Sequence, residues 1–198
     1  PKGERPLLHL PVMNEEAPFD RIRDLDRVVR KLSSSIRQAT FAWSSGVGEV
    51  AIAGSANPLC RRSDFSTRFS VNIVVEADGS LFSGRAAKAF SLPQDEFLKI
   101  VDLEDVAREA FRRALLLSQA KPCPASAMPV VLAGKAGGTM VHEACGHSLE
   151  ADIVLKDHSS FRGSLGKRVA SSLVTLADDP TLFGLYGSYP FDDEGTPS

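Results

Sequence analysis

Apolar residues between positions 18 and 37 recur in steps of three and four: Phe19, Ile22, Leu25, Val29, Leu32 and Ile36. That period puts them on one stripe of an α-helix. Pro18 suits its first turn, where a backbone N–H has no intrahelical partner to lose. The pattern then changes. Residues 40–43 and 49–53 read as strands around a Ser44-Ser45-Gly46-Val47-Gly48 turn, and residues 69–76 alternate partly between apolar and polar. Asp78-Gly79 is a strong hairpin signal, with residues 81–83 as the returning strand. A second helix is expected over Leu103–Ser118, with Asp102 as its N-cap and Val106, Ala110, Phe111, Ala114 and Leu117 facing inward. Residues 18–118 therefore read as α+β: an antiparallel sheet with flanking helices.

Lys121-Pro122-Cys123-Pro124-Ala125-Ser126 interrupts this order. Its two prolines stop the preceding helix and favour extended backbone. The expected division is residues 1–121 as one α+β domain, 122–128 as a Pro-rich linker, and 129–198 as the beginning of a second, β-rich domain. Within the last, residues 129–133 read as a short buried strand leading into a helix, and residues 169–176 as another strand.

That helix carries His142-Glu143-Ala144-Cys145-Gly146-His147. Two imidazoles are good ligands for Zn²⁺, and a carboxylate beside the first suits removal of a proton from a water activated by the ion. The familiar H-E-x-x-H spacing puts both rings on one helical face. Here the rings are five positions apart, about 140° around a regular helix. A single i→i+5 turn would return them to one side, and Gly146 would ease such a distortion. The sequence predicts a widened or broken turn at residues 145–147. Val141, Cys145 and Leu149 would form the helix's apolar stripe, making Cys145 a packing residue before a ligand. Glu150 and Asp152 are either partners for the imidazoles' second nitrogens or an exposed helix end. His158 falls in a polar loop.

The blocks around this motif resemble the TldD/PmbA family of zinc metallopeptidases, whose members also carry the description of proposed modulators of DNA gyrase. The match runs through Pro129-Val130-Val131-Leu132 and from Gly137-Gly138-Thr139-Met140-Val141 through the motif to Ser148-Leu149-Glu150-Ala151-Asp152. It continues in Val169-Ala170-Ser171, Leu173-Val174-Thr175 and Asp192-Asp193-Glu194-Gly195-Thr196-Pro197. The resemblance implies a peptidase acting on unstructured or modified peptides, with His142 and His147 as zinc ligands and Glu143 as catalytic base. It also implies a third ligand, a cysteine, beyond the end of this chain, and a homodimer or a heterodimer with a sibling subunit. The chain opens on Pro1 and stops one residue past the last block, so it reads as an internal fragment. A non-catalytic peptide-binding or regulatory subunit is the alternative reading, and a DNA-associated regulator, suggested by the family description, comes after it. The role of residues 192–197 stays open between the active site and an ordinary loop.

Composition narrows the remaining classes. A hydrophobic share of 43% is enough to build a core. The formal charge of -2 disfavours a phosphate-binding surface. On the first helix, Arg21, Arg23, Arg27, Arg30 and Arg37 are interleaved with Asp20, Asp24 and Asp26. This reads as a self-compensating solvated face, not a nucleic-acid site. Gly134-Lys135 and Gly137-Gly138 lack the order of a Walker loop. Cys60, Cys123 and Cys145 form no C-x-x-C pair, so reduced thiols and a cytoplasmic location are expected. No apolar run approaches membrane-spanning length.

Overall fold

The computed structural model describes residues 16–54 and 59–198. The chain divides into two compact units, one comprising Pro1–Lys121 with Asp179–Ser198 and the other Pro122–Asp178.

The first unit is built on a three-stranded antiparallel sheet of β1 (Ile36–Ile52), β2 (Cys60–Ala77) and β3 (Ser80–Phe90), in the order β1-β2-β3. Asp78 and Gly79 turn β2 into β3 with φ of 49° and 73°. Two successive positive φ values match the twist of the flanking strands, which is why Asp-Gly marks this position. Phe69, Val71, Ile73 and Val75 point from one face of β2 into the core. They meet α1 (Glu16–Arg30), α2 (Gln94–Ile100) and α3 (Leu103–Ser118) through Leu25, Val29, Phe97, Val106, Ala107, Ala110 and Ala114. Trp43 meets the Phe97 ring edge-on at 5.4 Å. The α+β class with helices flanking an antiparallel sheet is what the residue pattern predicted.

Gly84 shows how closely helix and sheet approach. A Cβ there would lie 2.1 Å from the Ala110 carbonyl oxygen and 2.3 Å from the Ala114 nitrogen. Glycine on β3 opposite alanines on α3 lets the two backbones touch.

Several expectations change. Helix α1 ends at Arg30, well before residue 37. The Ser33 hydroxyl accepts the Ser35 N–H at 3.1 Å, giving the backbone a local alternative to the helical bond. Ile36 consequently belongs to β1, and Phe19 is exposed. On the polar face, Arg23–Asp20, Arg27–Asp24 and Arg30–Asp26 pair at 3.0, 2.7 and 2.8 Å, the self-compensation expected. Residues 44–48 do not turn. They continue β1, because β2 starts at Cys60 and supplies a partner for each, as in Gly46↔Ser66 and Gly48↔Asp64. In α3 the Asp102 carboxylate accepts the Glu104 N–H at 2.8 Å, the expected N-cap, but Leu117 is exposed. Helix α2, organised by the buried Phe97, was not anticipated.

Asp179–Ser198 adds to the sheet unit. Leu185 bridges to Phe90, and the Ser91 N–H donates to the Gly184 carbonyl at 2.9 Å. The Arg62 guanidinium lies over the Tyr189 and Phe191 rings at 5.5 and 5.0 Å and donates to the Phe191 carbonyl. Asp192 closes the following loop by accepting the Glu194 and Thr196 N–H groups at 3.0 and 2.8 Å. Its carboxylate is thus committed to the local turn.

The second unit contains α4 (Gly134–Val141), a π-helical turn (His142–Gly146), α5 (His147–Leu149) and α6 (Ala151–Leu155). Residues 129–133 and 169–176 form no strand, and Val131 and Leu173 stand 99% and 94% exposed. An apolar run becomes a strand only when another backbone takes its N–H and C=O groups; Pro129 also brings no N–H. Gly137 and Gly138, expected to lead into the helix, are inside α4.

Candidate metal centre

The two histidines meet because the helix widens by one residue. The His147 N–H donates to the His142 carbonyl, an i→i+5 bond that closes the π turn over His142–Gly146. The wider turn brings positions 142 and 147 to one side. Their ring centroids are 4.4 Å apart with planes at 69°. This is a widened turn of the kind that the five-residue spacing predicts, but it spans His142–Gly146 where residues 145–147 were expected. Such turns often mark functional sites.

Gly146 contributes in a different way from the one expected. Its φ of -56° and ψ of -57° are ordinary helical values, so no unusual backbone is needed there. What it leaves is room. A Cβ would lie 3.4 Å from His142 Nδ1 and 3.7 Å from its Cγ.

Ligand atoms of His142, Glu143 and His147 all lie within 4.8 Å of one another. Glu143 Oε2 is 3.7 Å from His147 Nε2. The other nitrogen of that ring, Nδ1, is 2.8 Å from Glu150 Oε1. All three grouped side chains are exposed, so an ion, water and an extended ligand can reach them. Two neutral imidazoles with a neighbouring carboxylate fit a borderline cation such as Zn²⁺ in donor chemistry and grouping.

The remaining candidates separate. Cys145 is half-buried with Val141, whereas Leu149 is exposed, so the expected apolar stripe is only partly covered. The Cys145 thiol is outside the ligand group found among the described residues. Asp152 pairs with Lys156 at 2.9 Å, and the bonded ammonium lowers its pKa from the ordinary carboxylate value. Of the two acids weighed as imidazole partners, Glu150 alone takes that place. His158 is exposed, and its backbone N–H donates to the Ile153 carbonyl at 3.0 Å. Buried Ser159 was missed by sequence reasoning, where it is one serine among many. Its hydroxyl donates to the Ser148 carbonyl and accepts the Phe161 N–H at 3.0 Å, tying the turn after α6 to the residue following His147.

Such a group on a π turn is a candidate site for a metal ion. The chain belongs to the PmbA/TldA metallopeptidase family: the family's central domain matches residues 8–117 and its C-terminal domain residues 125–198. A metalloprotease TldD homologue of Haemophilus influenzae is 34% identical over 191 residues, covering 94% of this chain and 39% of that protein. A metalloprotease of Methanocaldococcus jannaschii is 41% identical over 128 residues, covering 63% of this chain and 27% of that one. The fold matches the crystal structure of a candidate modulator of DNA gyrase from Bacteroides thetaiotaomicron. The TM-score is 0.74 at 18% identity, covering 100% of this chain and 45% of that one. The chain thus spans less than half the length of these relatives. Among the described residues, no helix is long and apolar enough to cross a membrane.

Proposed function

We propose that this chain carries part of the active site of a zinc-dependent peptidase that hydrolyses peptide bonds in unstructured or modified peptides. The observation that carries this reading is the π turn, which groups His142, Glu143 and His147 within reach of one ion. The names of the metalloprotease relatives support the same class. His142 and His147 supply two of the three protein ligands that a catalytic zinc usually takes. The third is expected beyond this chain, a cysteine by the family resemblance. When bound, zinc polarises the scissile carbonyl and lowers the pKa of its water to about 7. Glu143, next to the first ligand, takes the proton from the attacking water and returns it to the leaving amine.

The preference for unstructured or modified peptides rests on the family resemblance; the exposed side chains leave the group open to an extended backbone arriving from solvent. A homodimer or a heterodimer with a sibling subunit, working in the cytoplasm, completes the proposal.

Glu143→Gln in the full-length protein tests the assignment. It should retain zinc while kcat for peptide cleavage falls by roughly 10²–10⁴-fold, the range for general acid–base catalysis. Unchanged cleavage would remove Glu143 from the mechanism and favour a peptide-binding subunit whose active partner does the chemistry.

A further inference from the structure

Glu150 lies outside the H-E-x-x-x-H motif, yet among the described residues its carboxylate makes a shorter contact to His147 than Glu143 does, 2.8 against 3.7 Å. We propose that Glu150 is a positioning residue that fixes the tautomer and ring orientation of His147. This rests on the metal-site reading above and adds a role to it.

Chemistry gives the direction of the bond. An ionised carboxylate can only accept, so the 2.8 Å contact between Glu150 Oε1 and His147 Nδ1 puts the imidazole hydrogen on Nδ1. The lone pair is then on Nε2, the nitrogen nearer Glu143 Oε2 at 3.7 Å. Nε2 becomes the ligand atom, with Nδ1 unavailable to the metal. In the opposite tautomer Nε2 would carry a hydrogen and could not ligate.

The backbone explains how Glu150 reaches back. Residues three apart are neighbours on a helix, and the Glu150 N–H still donates to the His147 carbonyl at 3.3 Å. The chain then leaves the helix, with Glu150 at φ -62° and ψ 134°. The last helical turn and the first extended residue therefore coincide at position 150, directly beyond the ligand. Ser159 steadies this turn through its bond to the Ser148 carbonyl. Asp152 is held by Lys156 and does not compete.

The test uses the full-length protein, with Glu150→Ala and Glu150→Gln measured beside the natural sequence. Zinc affinity is read by chelator competition. The His147 tautomer is read by ¹⁵N NMR of the metal-free protein, at a pH where the ring is neutral. Glu150→Ala should weaken zinc binding by about 10–100-fold, the usual loss when a ligand's hydrogen-bond partner is removed. It should also abolish the Nδ1–H preference of His147. Glu150→Gln keeps an acceptor oxygen and should recover most of both. Equal zinc affinity and an unchanged tautomer in Glu150→Ala would overturn the proposal. If the natural sequence itself failed to bind zinc, the metal-site reading would fall, while the metal-free NMR comparison would still decide whether Glu150 sets the tautomer.

Discussion

The sheet unit and the segment Pro122–Asp178 solve opposite problems. In the first, Val29, Phe69, Ile73, Val75 and Phe97 are fully buried, and the strands pair along their lengths with one register shift between Ile36 and Gln38. In the second, Ser159 is the one buried residue among those described, while Val131, Leu165 and Leu173 are wholly exposed or nearly so. Yet the second holds the ordered cluster of His142, Glu143, His147 and Glu150. The difference teaches that a site's grouping can be set by local hydrogen bonds within a short stretch of helix. One i→i+5 bond and one carboxylate–imidazole contact bring the groups together, with no buried apolar residue among those described in this segment.

The largest expected effects sharpen that contrast. Phe97→Ala should destabilise the protein by roughly 3–5 kcal/mol, from lost apolar burial and the cavity left behind. Val131→Ala should change stability by less than about 0.5 kcal/mol, since the side chain meets solvent. Equilibrium urea unfolding of both variants measures the gap; similar losses would mean that the second segment has a core of its own.

A pair of glycines gives the next test. Gly84→Ala forces a methyl against the backbone of α3 and should cost about 3 kcal/mol. Gly146→Ala introduces only a 3.4 Å contact with an imidazole, on backbone that is already helical. There alanine's helix preference, about 1 kcal/mol over glycine, offsets the crowding. Thermal melts should show a large drop for the first and little change for the second.

A smaller effect concerns charge. Hydrogen bonds from Arg112 and Arg113 lower the Glu109 pKa from 4.5 to about 2. A carboxylate with a depressed folded-state pKa adds stability that is fully present above the unfolded value, near 4.5. That stability is lost as pH falls from there through about 2. Glu109→Gln should therefore show a shallower acid destabilisation across this window in pH-dependent unfolding. The gap should shrink with added salt, because these groups are solvent-screened.

What was legible in the sequence follows from the same contrast. Helix α3 was readable because its period, its Asp102 cap and its packing all agree, and the Asp78-Gly79 turn because few residues tolerate two positive φ values. The π turn was readable from spacing, since five residues cannot bring two rings together in a regular helix. The stretch of β1 at residues 44–48 was not, because its serines and glycines look like a turn until β2 is paired with it. Residues 169–176 failed in the opposite sense: strand-like side chains found no partner backbone. The Glu150 contact was left open because its aim depends on where the helix stops, which is set by a change in ψ that composition does not encode.

Arg62 has one more consequence. With Tyr189 and Phe191 on its guanidinium, a strand that precedes the histidines in sequence grips a stretch that follows them. Residues 122–178 thus fall, in sequence, between two stretches of one folded unit. Severing the polypeptide at the prolines would not release a finished sheet unit. It would strip the aromatic cover from a cation that is only 15% exposed, and the excised half would carry away a piece of the other's wall.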